Sequence, residues 1–190
     1  HSSDNSLYIA TGDRDGGSSW SLGGGNYNDN NSVGILKSTD GGSTWNTTGL
    51  SIAVDITKLI GDLLIHPDDP TILYAGAYDG IYKTTNSGDN WTKVHNTGEY
   101  VIDLEFKPGD PNTIYACTKD RWGYEPEIFR TVNGGTDWTL EHTFGTSDTR
   151  VELAVSGYSG TAGDNVVYAA VANEDGGLTG IYKSTDSGDS

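Results

Sequence analysis

The sequence predicts an all-β protein: a β-propeller of four-stranded antiparallel blades with repeated hairpin turns, present as a partial ring of about three and a half blades. Three observations carry this. A polar, glycine-containing phrase returns four times, as STDGGSTW (Ser38–Trp45), TTNSGDNW (Thr84–Trp91), TVNGGTDW (Thr131–Trp138) and STDSGDS (Ser184–Ser190). The tryptophans that close the first three copies fall at intervals of 46 and 47 residues, a period that belongs to radial or stacked repeats. Between the copies lie short runs rich in β-branched and aromatic residues, separated by turn signals and free of any helical period.

The runs assign the strands of each unit, lettered A to D from the axis outward. The first unit, about residues 6–50, offers strand B at 7–11, C at 33–38 and D at 44–48. The second, about 57–96, offers all four: 59–66, 71–77, 80–85 and 90–95. The third, about 100–144, repeats them at 101–106, 113–118, 127–131 and 137–142. The fourth, about 149–190, has A at 150–155, B at 165–172 and C at 180–185, with strand D missing. On this spacing a further tryptophan is due at position 191, so the chain reads as a piece of a larger propeller whose remaining blades are its first partner.

The repeated phrase has a local mechanism. Asp40, Asn86, Asn133 and Asp186 are placed to fold their side chains onto backbone N–H groups about two residues on, as Asx turns do. Gly42, Gly88, Gly135 and Gly188 then supply the positive φ of the C–D hairpin. Trp45, Trp91 and Trp138 are expected to cover those hairpins with a large apolar ring.

Composition narrows the function. With 27 glycines but only 5 prolines in 190 residues, the chain suits many tight turns between strands. A net charge of −16 with 11 scattered Lys and Arg argues against a nucleic-acid partner, which needs clustered cations. No apolar run approaches the ~20 residues of a spanning helix, so no membrane insertion is expected. Cys117, in the run TIYACT, is expected to be a buried, inert thiol. His1, His66, His95 and His142 are dispersed and offer no zinc site.

At the repeated phrase the chain resembles the Asp-box (bacterial neuraminidase repeat) propellers, with the pattern S-x-D-x-G-x-T-W. The segments Pro67–Tyr74 and Pro108–Tyr115 look most like the strand A to strand B links of the sortilin (Vps10) and xyloglucanase branch. TGDRDGG, at 11–17, also looks like the propellers of large secreted bacterial surface proteins. The resemblance implies the fold, a secreted or cell-surface setting, and one of several unrelated functions.

Sialidase chemistry is not expected: that family needs three arginines on the substrate carboxylate, and only Arg14, Arg121, Arg130 and Arg150 are present. Resemblance to the xyloglucanases implies one acid just after a strand B, making Asp13 and Asp15 the candidate catalytic carboxylates of a two-acid glycoside hydrolysis. Glu174 and Asp175 hold the same place three blades on. The strand B to strand C loops of the first and third units are long and carry aromatics. Trp20, Tyr27, Asp120, Arg121, Trp122 and Tyr124, with Glu174 and Asp175, are therefore the candidate ligand-binding residues, for a polysaccharide or an extracellular protein. Asp13, Asp15, Asn28 and Asp29 also make an oxygen-rich loop suited to Ca²⁺, although no cofactor is required. A glycan- or protein-recognition module leads, with a polysaccharide hydrolase and a structural scaffold as alternatives.

Overall fold

The computed structural model describes residues 6–12, 32–55, 58–119, 124–157 and 166–188. Its described residues form strands and turns with no helix. The order is β1 (Leu7–Ala10), β2 (Ser32–Ser38), β3 (Asn46–Asp55), β4 (Ile60–Ile65), β5 (Leu73–Ala77), β6 (Gly80–Thr84) and β7 (Thr92–His95). It continues with β8 (Tyr100–Lys107), β9 (Asp110–Lys119), β10 (Glu127–Thr131), β11 (Thr139–Thr143), β12 (Asp148–Ser156), β13 (Val166–Asn173) and β14 (Leu178–Ser184). Neighbours in sequence pair antiparallel, giving the meanders β1-β2-β3, β4-β5-β6-β7, β8-β9-β10-β11 and β12-β13-β14. A single bridge, Arg150 opposite Lys119, joins the third to the fourth. The chain is an all-β partial propeller.

Several strands outrun the alternating pattern. β3 extends to Asp55, and β9 starts at Asp110 because Pro108–Gly109 makes a tight reversal, with Gly109 at φ 81° and Lys107 opposite Asp110. The longer link before β5 is held by Asp69, whose carboxylate accepts from the Thr71 hydroxyl at 2.6 Å. The core lies between the sheets. Each strand B sends alternate residues towards the preceding sheet, so Ala75 packs with Ile35, Ala116 with Ile81, and Ala169 with Ile128. The strand C isoleucines measure how far the stacking extends. Ile35, Ile81 and Ile128 are 0%, 0% and 9% exposed, whereas Ile181 is 67% exposed, with no sheet beyond it among the described residues.

The repeated turn differs from a simple Asx turn. The N–H two residues after the acid or amide, that of Gly42, Gly88, Gly135 or Gly188, donates instead to the hydroxyl that opens the phrase. Ser38, Thr84, Thr131 and Ser184 accept it at 2.9, 3.1, 3.0 and 2.8 Å. The side chains of Asp40, Asn86 and Asn133 reach further, to the N–H four residues on, at 2.8, 3.0 and 3.0 Å. The four glycines have positive φ, as expected. The residue before each does too, and there Ser87 and Ser187 hold φ of 58° and 64° without being glycine. Trp91 and Trp138 do not cover their own hairpins alone: Trp91 packs against the buried cluster of Ile35, Ile60, Ala75 and Ala77, and Trp138 against the cluster that holds Tyr74, Ile81, Ala116 and Phe129.

Two further bonds repeat between sheets. A strand B tyrosine and a strand C cation hold one carbonyl of the next turn. Tyr8 Oη and Lys37 Nζ donate to the Ser87 carbonyl at 3.1 and 3.0 Å, and Tyr74 and Lys83 to that of Gly134 at 3.0 and 2.7 Å. Tyr115 and Arg130 donate to Ser187 at 2.8 and 2.6 Å. Burial pushes the Tyr74 phenol up to about 12. On the inner strands, Asp62 accepts the N–H of Leu104 at 3.0 Å and Asp103 accepts that of Leu153 at 2.6 Å. At both positions the carboxylate of the preceding sheet satisfies an inner-strand N–H that the strand's own pairing leaves open. Gly61 permits the approach, since a Cβ there would lie 2.3 Å from the Val101 carbonyl oxygen.

Two outcomes follow from these bonds. Asp103→Ala removes a charged acceptor from a buried N–H and is expected to destabilise the chain by about 1.5–3 kcal/mol in urea unfolding; a loss below measurement error would contradict the assignment. The three hydrogen bonds to Asp40 hold its carboxyl down from 3.8 to about 2. The contribution of that carboxylate to stability is complete above its unfolded value and is lost as pH falls towards 2. The Thr44 amide resonance should titrate with a midpoint near 2, and a midpoint near 3.8 would show the turn bonds absent in solution.

Candidate functional site

In an antiparallel meander the B–C and D–A connections emerge at one end and the repeated turns at the other. The candidate site belongs to the first end. Asp13, Asp15, Trp20, Tyr27, Asn28, Asp29, Asp120, Arg121 and Trp122 lie outside the described residues. Tyr124, Glu174 and Asp175 are described, and all three are exposed on the expected end.

Each described loop there has its own local cause. The β5–β6 turn is closed on itself: Asp79 accepts from the Tyr82 hydroxyl at 2.9 Å and pairs with the Lys93 ammonium. Burial, then this carboxylate, pushes the Tyr82 phenol far above its ordinary value. In the β13–β14 turn, the Asn173 side-chain oxygen accepts from Gly177 N–H at 2.8 Å, and Asn173 N–H donates to the Gly177 carbonyl at 2.8 Å. Glu174 N–H is directed to the Ser147 carbonyl at 3.3 Å, which leaves the Glu174 and Asp175 side chains on the rim. The β9–β10 connection returns through Glu125 and Pro126 to Glu127, whose N–H donates to Thr118 Oγ1 at 2.9 Å.

Glu127 is a residue the sequence pattern alone did not single out. Burial, and then the neighbouring Glu125, holds its carboxyl above the usual carboxylate range. A carboxyl of this kind keeps its proton to higher pH and can then donate a hydrogen bond. Its signal was legible: the other units place Gly34, Gly80 and Gly180 at this opening position of strand C, and only the third unit places an acid. Glu99, buried at the start of β8, was likewise missed, because nothing in its local run marks it.

The described arginines serve the framework. Arg130 Nε meets Glu141 at 2.9 Å while its Nη1 reaches the Ser187 carbonyl, and Arg150 pairs with Glu152 at 2.6 Å. Cys117 is fully buried and its Sγ lies 3.0 Å from the Val151 carbonyl. Among the described residues no three His, Cys, Asp or Glu side chains converge as a metal centre would require. A cavity of about 240 Å³ lies elsewhere, among β9, β10, β11, β13 and β14, and the described loop residues Tyr124, Glu174 and Asp175 are not among those that line it.

No family model matches the chain. A xyloglucanase from Paenibacillus sp is 39% identical over 84 residues, which are 40% of this chain and 8% of that protein. Xyloglucanase Xgh74A of Acetivibrio thermocellus is 37% identical over 81 residues, 38% of this chain and 10% of that protein. The matched part of the chain thus spans about a tenth of the length of these curated relatives. The crystal structure of the GH74 enzyme of Niastella koreensis superposes with a TM-score of 0.60 at 25% identity, over 94% of this chain and 26% of that one. An ancestral GH74 enzyme superposes with a TM-score of 0.64 at 22% identity, over 82% of this chain and 20% of that one, a likeness of fold alone.

The raised Glu127 carboxyl sets a sign for pH. Its contribution to stability is present below its unfolded value and is lost as pH rises through the folded one. Glu127→Gln should therefore raise Tm at pH 8 and lose that advantage at pH 4, read by thermal circular dichroism; an equal effect at both pH values would contradict the assignment.

Proposed function

We propose that the chain is the glycan-recognising part of an Asp-box propeller belonging to a secreted or cell-surface protein that acts on xyloglucan-type polysaccharides. The observation that supports this best is the 39% identity to a xyloglucanase over 84 residues, together with the 25% identity to a GH74 enzyme over nearly the whole chain. The loop end is the natural place for the glycan. Trp20, Tyr27, Trp122 and Tyr124 offer ring faces for the apolar faces of sugars, while Asp120, Arg121, Glu174 and Asp175 offer partners for hydroxyls. Hydrolysis is the second reading, favoured by the same relatives. It assigns one of the two required carboxylates to Asp13 or Asp15 and takes the other from a distant blade. Calcium at Asp13, Asp15, Asn28 and Asp29 would order the first long loop without entering the chemistry.

Affinity electrophoresis in gels containing tamarind xyloglucan tests the binding. The 190-residue chain should be retarded relative to a gel containing a glucan without xylose branches. The Trp20→Ala and Trp122→Ala variants should each lose at least tenfold in affinity, and EDTA should weaken binding if calcium orders the loop. An unretarded chain, or variants retarded as strongly as the parent, would refute the assignment. Release of reducing sugar that disappears in Asp13→Ala or Asp15→Ala would favour hydrolysis.

A further inference from the structure

The second unit turns back at the loop end in two residues, Tyr78 and Asp79, with Ala77 opposite Gly80. Its neighbours do not: the connection from β1 to β2 takes residues 11–31, and that from β9 to β10 takes residues 120–126. The short turn is thus bracketed by two long connections.

Both connections start from groups packed beside Tyr78. The Thr11 carbonyl accepts the Ile60 N–H at 3.3 Å, and a Cβ on Gly12 would lie 2.6 Å from that of Leu59. The first connection therefore leaves its sheet against Leu59, one residue from Lys58. The other leaves from Lys119, which pairs with Tyr100. Leu59 and Tyr100 belong to one buried cluster, and Tyr78 packs both against it and against the cluster of Ile35, Ile60, Ala75 and Ala77. Tyr78 is held half-buried between the roots of the two connections.

The polar groups around this ring form a chain. The exposed Lys58 places its ammonium over the Tyr78 ring, 5.7 Å from the centroid. The Tyr78 hydroxyl interacts with that of Tyr82, which donates to Asp79 at 2.9 Å. Asp79 pairs with Lys93, whose ammonium lies 5.4 Å from the Tyr82 centroid. Asp79, Tyr82 and Lys93 thus satisfy one another and fix the turn. Lys37, Lys83 and Arg130 are committed to turn carbonyls at the opposite end. Lys58 differs from all of these. Its described contact is a ring face rather than an oxygen, so the ammonium can still donate to an acceptor from outside. Because it covers that face, the pair presents an ammonium and a phenol hydroxyl rather than a stacking surface.

We propose that Lys58 and Tyr78 form a subsite that hydrogen-bonds the hydroxyls of a neutral glycan lying across the second sheet, between the two long connections. The subsite rests on the glycan-recognising reading of the loop end and adds the residues that read hydroxyls where no ring face is offered. A net charge of −16 opposes an anionic polymer, which assigns the site to a neutral one. A hydrogen bond from a charged donor carries about tenfold or more in affinity, and one from a phenol a few-fold.

Affinity electrophoresis in tamarind xyloglucan tests the subsite with the 190-residue chain and three variants, each mobility being referred to a gel without polysaccharide. Lys58→Met keeps the aliphatic stem and should weaken binding about tenfold. Lys58→Arg keeps a charged donor and should stay within about threefold of the parent. Tyr78→Phe keeps the packed ring and should weaken binding about threefold. Should Tyr78→Phe fail to fold by circular dichroism, the two Lys58 variants decide alone. A retarded parent with Lys58→Met retarded equally would overturn the subsite and leave the glycan reading standing. Equal losses in Lys58→Met and Lys58→Arg would overturn it as well, by assigning Lys58 to packing. A parent that is not retarded would overturn the glycan reading, and the subsite with it.

Discussion

Side chains of one sheet bonding the main chain of the next are what the remainder of the structure depends on. Asp62 and Asp103 hold inner-strand amides of the following sheet, and three tyrosine–cation pairs hold carbonyls of the following turn. A main-chain partner is present whatever residue occupies the position, so units of different sequence can still stack in one geometry. The apolar contacts between sheets, such as Ala116 against Ile81, then follow with little freedom left to the packing. Because these bonds point one way along the chain, each sheet is both a reader of its successor and a substrate for its predecessor.

The repeated turn acquires a second duty from this arrangement. Its hydroxyl and its acid or amide close the hairpin, and the same closure turns one carbonyl outward to the preceding sheet. Holding that carbonyl in place puts the residue before the glycine in the left-handed region, which a serine at 87 or 187 adopts only at a cost of about 1 kcal/mol or more. The turn end of the molecule is therefore committed to assembly. At the loop end, Tyr124, Glu174 and Asp175 are exposed, in segments where sequence can vary without disturbing the stack.

Local features of this fold were legible in the sequence because each has a local cause. Alternating runs mark the strands, and Gly42, Gly88, Gly135 and Gly188 mark backbone that needs positive φ. The reach of Asp40 to Thr44, rather than to the nearer Gly42, was not legible, because the competing Ser38 hydroxyl decides it only once the hairpin has closed. Nor could the pattern show that Tyr74 bonds a carbonyl 60 residues away or that Asp103 caps an amide 50 residues away. Both residues sit in runs that a single strand explains equally well. Of the candidate site, Tyr124, Glu174 and Asp175 stand on the end that the blade topology assigned to them, while Glu127 needed the comparison of one acid with three glycines.

Native-state hydrogen exchange at the Leu104 and Leu153 amides tests most directly whether side chains between sheets hold the molecule together. Both amides lie on inner strands with a carboxylate of the preceding sheet as acceptor. If those bonds organise the stack, both exchange only through global unfolding, with the same denaturant dependence as the amides at the centre of β9. Exchange through local opening, at the rate of the outermost strand β14, would contradict the account.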